Sequence, residues 1–121
     1  IAEIRHLCGD ELNIYSGNDD QIVPILSLGG LGVISVLSHV MPQYTHDMVK
    51  AFLDGDVTKA SKMQADCIPM CKALFCEVNP IPVKYAMSKL GYTSSKPRLP
   101  LIEASQKAKD QIDEAMEKCC K

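Results

Sequence analysis

Four places in this chain carry groups able to do chemistry. Asn18-Asp19-Asp20 follows a short stretch of alternating apolar and polar residues. Adjacent carboxylates can hold a hard cation or move protons; the plainer reading is that Asp19 or Asp20 caps the helix that follows. Lys84 stands in Asn79-Pro80-Ile81-Pro82-Val83-Lys84. A buried lysine with a lowered pKa attacks carbonyls and forms Schiff bases. Beside Tyr85 on a helix, Lys84 reads instead as a solvated ammonium on a packed stem. His39 follows a β-branched apolar run and is a candidate acid or base, against the simpler reading of a packed or solvent-facing imidazole. Gly29-Gly30-Leu31-Gly32 offers backbone N–H groups of the kind that cradle phosphate. A phosphate loop, however, follows a strand and opens a helix. This cluster closes a helix, opens a strand and lacks Gly-Lys-Ser/Thr, so it reads as a turn with positive φ angles. His6 and His46 carry no assignment.

The six cysteines are Cys8, Cys67, Cys71, Cys76, Cys119 and Cys120. Cys67 and Cys71 are spaced as neighbours on one helix face, with Ile68, Leu74 and Phe75 nearby, and read as small apolar core groups. Zinc would ask for a CxxC pair or adjacent histidines, and disulfides for an oxidising compartment. The expectation is a reduced, cytoplasmic chain with no metal and no cofactor.

The elements that position these residues change character along the chain. A helix is expected over 2–8, with Ile4, Leu7 and Cys8 on one side and Gly9 as its stop. Residues 12–16 alternate as a strand does, and 22–28 read as a helix ended by Gly29-Gly30. Residues 33–37 form a β-branched run suited to a strand covered on both faces. This is the grammar of βα units and a parallel sheet. Beyond Val40 only helices follow. One opens at Pro42 and a long one spans about 57–75, kinked at Pro69. Another spans 82–90, stopped by Gly91, and a last one starts near Leu101. The apolar faces of the middle helices hold Tyr44, Met48, Phe52, Met63, Cys67, Cys71, Leu74 and Phe75.

At 121 residues the chain is one domain in size, with 46% apolar residues and a formal charge of −2. That balance offers no polyanion-binding surface, so nucleic acid is a poor partner. No apolar run reaches the length of a membrane span. The chain opens Ile-Ala-Glu-Ile without an initiator Met, and two strands make no stable parallel sheet alone. Both features lead us to expect a fragment or a processed chain.

Four segments in register carry a resemblance: Tyr15-Ser16-Gly17-Asn18-Asp19, the run from Leu28 to Val36, Asn79-Pro80-Ile81-Pro82-Val83-Lys84, and Leu90-Gly91 with Arg98-Leu99-Pro100-Leu101. Together they resemble the dihydrodipicolinate synthase family of pyruvate-dependent class I aldolases, across essentially the whole chain. The resemblance implies an α/β fold, the C-terminal part of a (β/α)₈ TIM barrel followed by a helical region. Residues 1–40 would be the last barrel βα units, with strands seven and eight at about 12–16 and 33–37. Residues 41–121 would be the last barrel helix and the C-terminal helices.

The family condenses pyruvate with aspartate semialdehyde in lysine biosynthesis, through a Schiff base on a lysine of the sixth strand. By resemblance that lysine, the proton-relay tyrosine and threonines, and the substrate-binding arginine lie upstream of Ile1. No catalytic residue is expected within the chain, and Lys84 belongs to the C-terminal helices. Two substrate-binding positions carry over. Ile34 matches the position whose backbone carbonyl lies beside the imine and pyruvate, and Gly17 matches a glycine that leaves space at the end of strand seven. Asn18 departs from a common acidic residue, and His39 from a small or amide one. The family is homotetrameric, so self-association is expected. The alternatives are another pyruvate aldolase or lyase on the same barrel, or a helical assembly module without catalysis.

Overall fold

The computed structural model describes residues 1–120. Among them are seven α-helices and one two-stranded sheet. Helix α1 (Ala2–Cys8) leads into β1 (Tyr15–Ser16), a 3₁₀ turn (Asp19–Gln21) and α2 (Ile22–Ser27). Strand β2 (Gly32–Val33) and a second 3₁₀ turn (Leu37–His39) follow. The rest is helical: α3 (Pro42–Leu53), α4 (Val57–Asp66), α5 (Ile68–Leu74), α6 (Ile81–Lys89) and α7 (Gln106–Cys119). The order strand, helix, strand, then helices only is the one the sequence predicts.

The strands are parallel, Tyr15 opposite Gly32 and Ser16 opposite Val33. They are shorter than the 12–16 and 33–37 expected. Single main-chain bonds extend the ladder at each end, from Leu31 N–H to Ile14 C=O and from Ile34 N–H to Ser16 C=O, both 2.8 Å. Beyond Ile34 the pairing stops because Val36 is already helical (φ −83°, ψ −37°), its N–H and that of Leu37 drawn to the Asp19 carboxylate. Valine and isoleucine favour a strand, but two charge-assisted hydrogen bonds outweigh a propensity that spans ~1 kcal/mol.

Two further expectations are corrected. The long helix over 57–75 is two helices, broken at Cys67 (φ −86°, ψ −6°), with Pro69 in the first turn of α5. Proline lacks the N–H that a continuous helix would need and is tolerated where that N–H has no partner anyway. The last helix starts at Gln106, not near Leu101. Ser105 is its cap, its Oγ accepting the Ala108 N–H at 3.2 Å, while Ala104 is buried in a small cluster with Ile81 and Ala108.

The main core joins α2 to α7. Ile22, Leu37, Met48, Met70, Leu74 and Ile112 are fully buried, each worth ~1.5–3 kcal/mol in removed apolar surface. Phe75, expected on the core face, is 47% exposed: α5 ends at Leu74, and Phe75 leaves the helical register (φ −119°). Helix α1 buries none of its residues. It is held by Arg5, whose guanidinium donates to the carbonyls of Leu28, Gly29 and Gly9.

Candidate functional site at the C-terminal end of the parallel pair

In a parallel α/β arrangement, function collects beyond the carboxyl ends of the strands. Here those ends are Gly17 after β1 and Ile34 after β2, joined through the Ile34 N–H bond to Ser16 C=O. Both are exposed, Ile34 at 74%. A Cβ built on Gly17 would meet no atom within 4 Å, so the chain leaves open space where the two loops begin.

Hydrogen bonding shapes the first loop. Ser16 Oγ is wholly buried; it donates to Asn18 C=O at 2.7 Å and accepts the Asn18 N–H at 3.1 Å, a tight turn of the kind serine forms after a strand. That turn aims Asp19 inward, where it is 2% exposed. Its carboxylate accepts the Ser35 hydroxyl and the N–H groups of Val36 (3.0 Å) and Leu37 (2.9 Å). The expected cap on the following helix is absent, since the Asp19–Gln21 turn and α2 have no side-chain cap. Asp19 binds the two strand ends together instead. Its neighbour Asp20 is exposed, so the pair does not converge on one point. Among the described residues no three His, Cys, Asp or Glu side chains gather as a metal site would require.

Gln64 completes the scaffold from below. It is 8% exposed, donates from Nε2 to Asp19 C=O (2.9 Å) and accepts the Val23 N–H on Oε1 (3.0 Å). Sequence reasoning passed over both Gln64 and Ser35. The available signal for Gln64 was its place four residues after Ala60, on the buried face of α4. From Gln64 the contacts run to Cys67 and Cys71, both buried as the spacing predicts. The Cys71 thiol donates to Cys67 Sγ at 3.8 Å. That bond lowers the Cys67 pKa and, together with burial, raises that of Cys71.

Between this loop and α5 lies a cavity of about 360 Å³, lined by Asn18, Asp19, Asp20, Ile68, Cys71, Lys72 and Phe75. Lys84 is not among these residues. It is half-buried on α6, a helix packed against α5 and α7. His39 is exposed at the end of the second 3₁₀ turn, with Nδ1 3.2 Å from Val36 C=O. Gly29 ends α2 with φ +84°, and Gly30 presses against Ile25; the cluster turns after the helix as expected, but Gly29 alone of its glycines has a positive φ, and Gly32 is already in β2.

The Dihydrodipicolinate synthetase family matches this chain over residues 1–119. The chain belongs to that family. The 4-hydroxy-tetrahydrodipicolinate synthase of Caldicellulosiruptor bescii is 54% identical over 116 residues, 96% of this chain and 39% of that protein. The enzyme of the same name from Thermoanaerobacter pseudethanolicus is 49% identical over 118 residues, 98% of this chain and 40% of that protein. Among solved structures, dihydrodipicolinate synthase from Aquifex aeolicus superposes with a TM-score of 0.92 at 37% identity, over 97% of this chain and 40% of that one. This dihydrodipicolinate synthase-family chain therefore spans about two-fifths of the length of these relatives. Over that span its loops and helices follow the fold of the solved synthases.

Proposed function

We propose that this chain is the C-terminal portion of a dihydrodipicolinate synthase-type lyase, a (β/α)₈ barrel enzyme of the cytoplasm. Residues 1–40 supply the last two βα units and residues 41–121 the last barrel helix and the C-terminal helices. The whole enzyme condenses pyruvate with aspartate semialdehyde, as the family resemblance implies. Within it Ile34 and Gly17 form part of the pyruvate pocket. The Ile34 carbonyl lies beside the imine and pyruvate, and Gly17 leaves room at the end of strand seven. The Schiff-base lysine comes from outside residues 1–121, so the chain alone forms no enamine. The assembled enzyme is a homotetramer.

The observation that carries this reading is the meeting of Gly17 and Ile34 at the carboxyl end of a parallel strand pair, with open space above Gly17. Asp19 holds that end rigid through the N–H groups that follow Ile34, which is how a carbonyl is kept in place before substrate arrives.

A chimaera tests the proposal: the N-terminal three-fifths of the Caldicellulosiruptor bescii enzyme joined to this chain. Borohydride reduction with pyruvate should leave one covalent pyruvate adduct, on a lysine of the N-terminal part. Gly17→Val should raise KM for pyruvate with the chimaera still folded. A folded chimaera that takes up no pyruvate, or an adduct on Lys84 of this chain alone, would overturn it.

A further inference from the structure

The cysteine pair at the base of the cavity has no part in the reading above. Cys67 and Cys71 are both free and buried, with sulfurs 3.8 Å apart. Cys67 stands at the break between α4 and α5 and not inside a regular helix. Its sulfur receives two donors, the Cys71 thiol and the Gln64 amide at 3.7 Å. Cys71 lines the 360 Å³ cavity beside the loop 18–20, so a small uncharged molecule in that cavity lies against Cys71, with the Cys67 sulfur 3.8 Å behind it. The other cysteines have no such partner: among the described residues this is the one thiol–thiol hydrogen bond.

We propose that Cys67 and Cys71 form an oxidisable dithiol, a modification site whose co-reactant is a hydroperoxide. Cys67 attacks as the thiolate, since the hydrogen bond from Cys71 favours its charged form while Cys71 keeps its proton. The sulfur takes the terminal peroxide oxygen and the O–O bond breaks. Cys67 becomes a sulfenic acid, and the departing alkoxide takes up the proton that the Cys67 thiol released on ionising and leaves as an alcohol, or as water when the peroxide is hydrogen peroxide. Cys71 then attacks the sulfenic sulfur, the S–O bond breaks, the Cys71 proton goes to the departing hydroxide and water leaves. The dithiol has lost two electrons and two protons, and the peroxide has gained them.

Closing the bond pulls the sulfurs from 3.8 Å to the ~2 Å of a disulfide. Gln64 feels that movement. The Cys67 thiol donates to its main-chain carbonyl at 3.2 Å, and its side chain holds Asp19 C=O and Val23 N–H. Oxidation at the base of the cavity is thus read at the loop after β1.

Trypsin cleavage after Lys62 and Lys72 isolates both cysteines on one peptide, residues 63–72, without any other cysteine. The folded 121-residue chain is treated with hydrogen peroxide, then alkylated under denaturing conditions. Peptide 63–72 should lose two hydrogen atoms and both alkyl labels, with dithiothreitol restoring them. The Val23 amide should exchange faster in the oxidised chain than in the reduced one. In Cys71→Ser the sulfenic acid has no resolving thiol and should be trapped on Cys67 by dimedone. The proposal is overturned if peptide 63–72 keeps both labels while Cys8 is oxidised, or if Cys67 reaches the sulfinic acid with Cys71 still alkylated. A bond that forms only in urea overturns it equally. Should Cys71→Ser fail to fold, the peptide measurement on the unsubstituted chain decides alone.

Discussion

The carboxylate of Asp19, on the loop after the first strand, accepts the main-chain N–H of Leu37, on the loop after the second, at 2.9 Å. Both residues are buried. One side chain thereby fixes the relative position of the two strand ends on which the proposed pocket stands. Asp19→Ala leaves the N–H groups of Val36 and Leu37 unpaired, at about 1–3 kcal/mol for the buried Leu37 donor and less for the half-buried Val36 one. Urea denaturation should show a loss of that size, with Asp19→Asn losing less because one carbonyl oxygen remains. An Asp19→Ala chain as stable as its parent would remove the scaffold role argued for this residue.

Two glycines 13 residues apart should respond in different ways. A Cβ on Gly30 would lie 2.8 Å from the Ile25 carbonyl oxygen and from Ile25 Cγ2. The oxygen is backbone and cannot move aside, so Gly30→Ala should cost roughly 1–3 kcal/mol. Gly17→Ala meets open space and should leave the melting temperature unchanged. Thermal unfolding of the two variants side by side is the check.

Ser105 decides where the last helix begins. Its hydroxyl accepts the Ala108 N–H, and Ser105→Ala should cost about 1 kcal/mol. Leu101, which the apolar spacing offered as the helix start, is outside α7. Leu101→Gly should therefore leave the helical circular dichroism as it is.

Alkaline pH should weaken the fold through Tyr44. Burial, with Cys67 and Asp66 nearby, raises its pKa from 10.0 to about 12, and its hydroxyl donates to Met63 C=O at 2.9 Å. The folded state holds the phenolic proton more tightly than the unfolded state. Its contribution is complete below about pH 10 and is lost as pH rises through about 12. Phenolate absorbance should show Tyr44 ionising in a late step near pH 12. Tyr44→Phe should remove that late step and flatten the alkaline fall in stability.

Hydrogen exchange should separate the two parts of the chain. Helix α3 packs on α4, α4 on α5 and α5 on α7, around a core that includes Met48, Met70, Leu74 and Ile112. Strand β1 pairs along one edge only, with β2. Amides of the helices should exchange slowly and those of 12–16 faster. Protection of 12–16 equal to that of α5 would point to a second chain on that edge.

Much of this protein is legible in its residue order. The helices at 2–8, 42–53 and 81–89 follow from periodicity and from glycine and proline punctuation, which act within a few residues. The motifs around Gly17, Ile34 and Asn79 suffice for the family because their spacing is itself local. Burial of Cys67 and Cys71 also follows from helical spacing. What the tertiary structure alone decided are contacts between residues far apart in sequence. Asp19 turned from its own helix to the N–H groups of Val36 and Leu37, which ended β2 two residues in. Gln64 reached from α4 to Asp19 and Val23. A hydrogen-bonding side chain near a helix start has a nearby cap and distant donors open to it, and local sequence does not rank them. The choice falls to whichever buried N–H groups would otherwise be unpaired, and only the packed chain determines which those are.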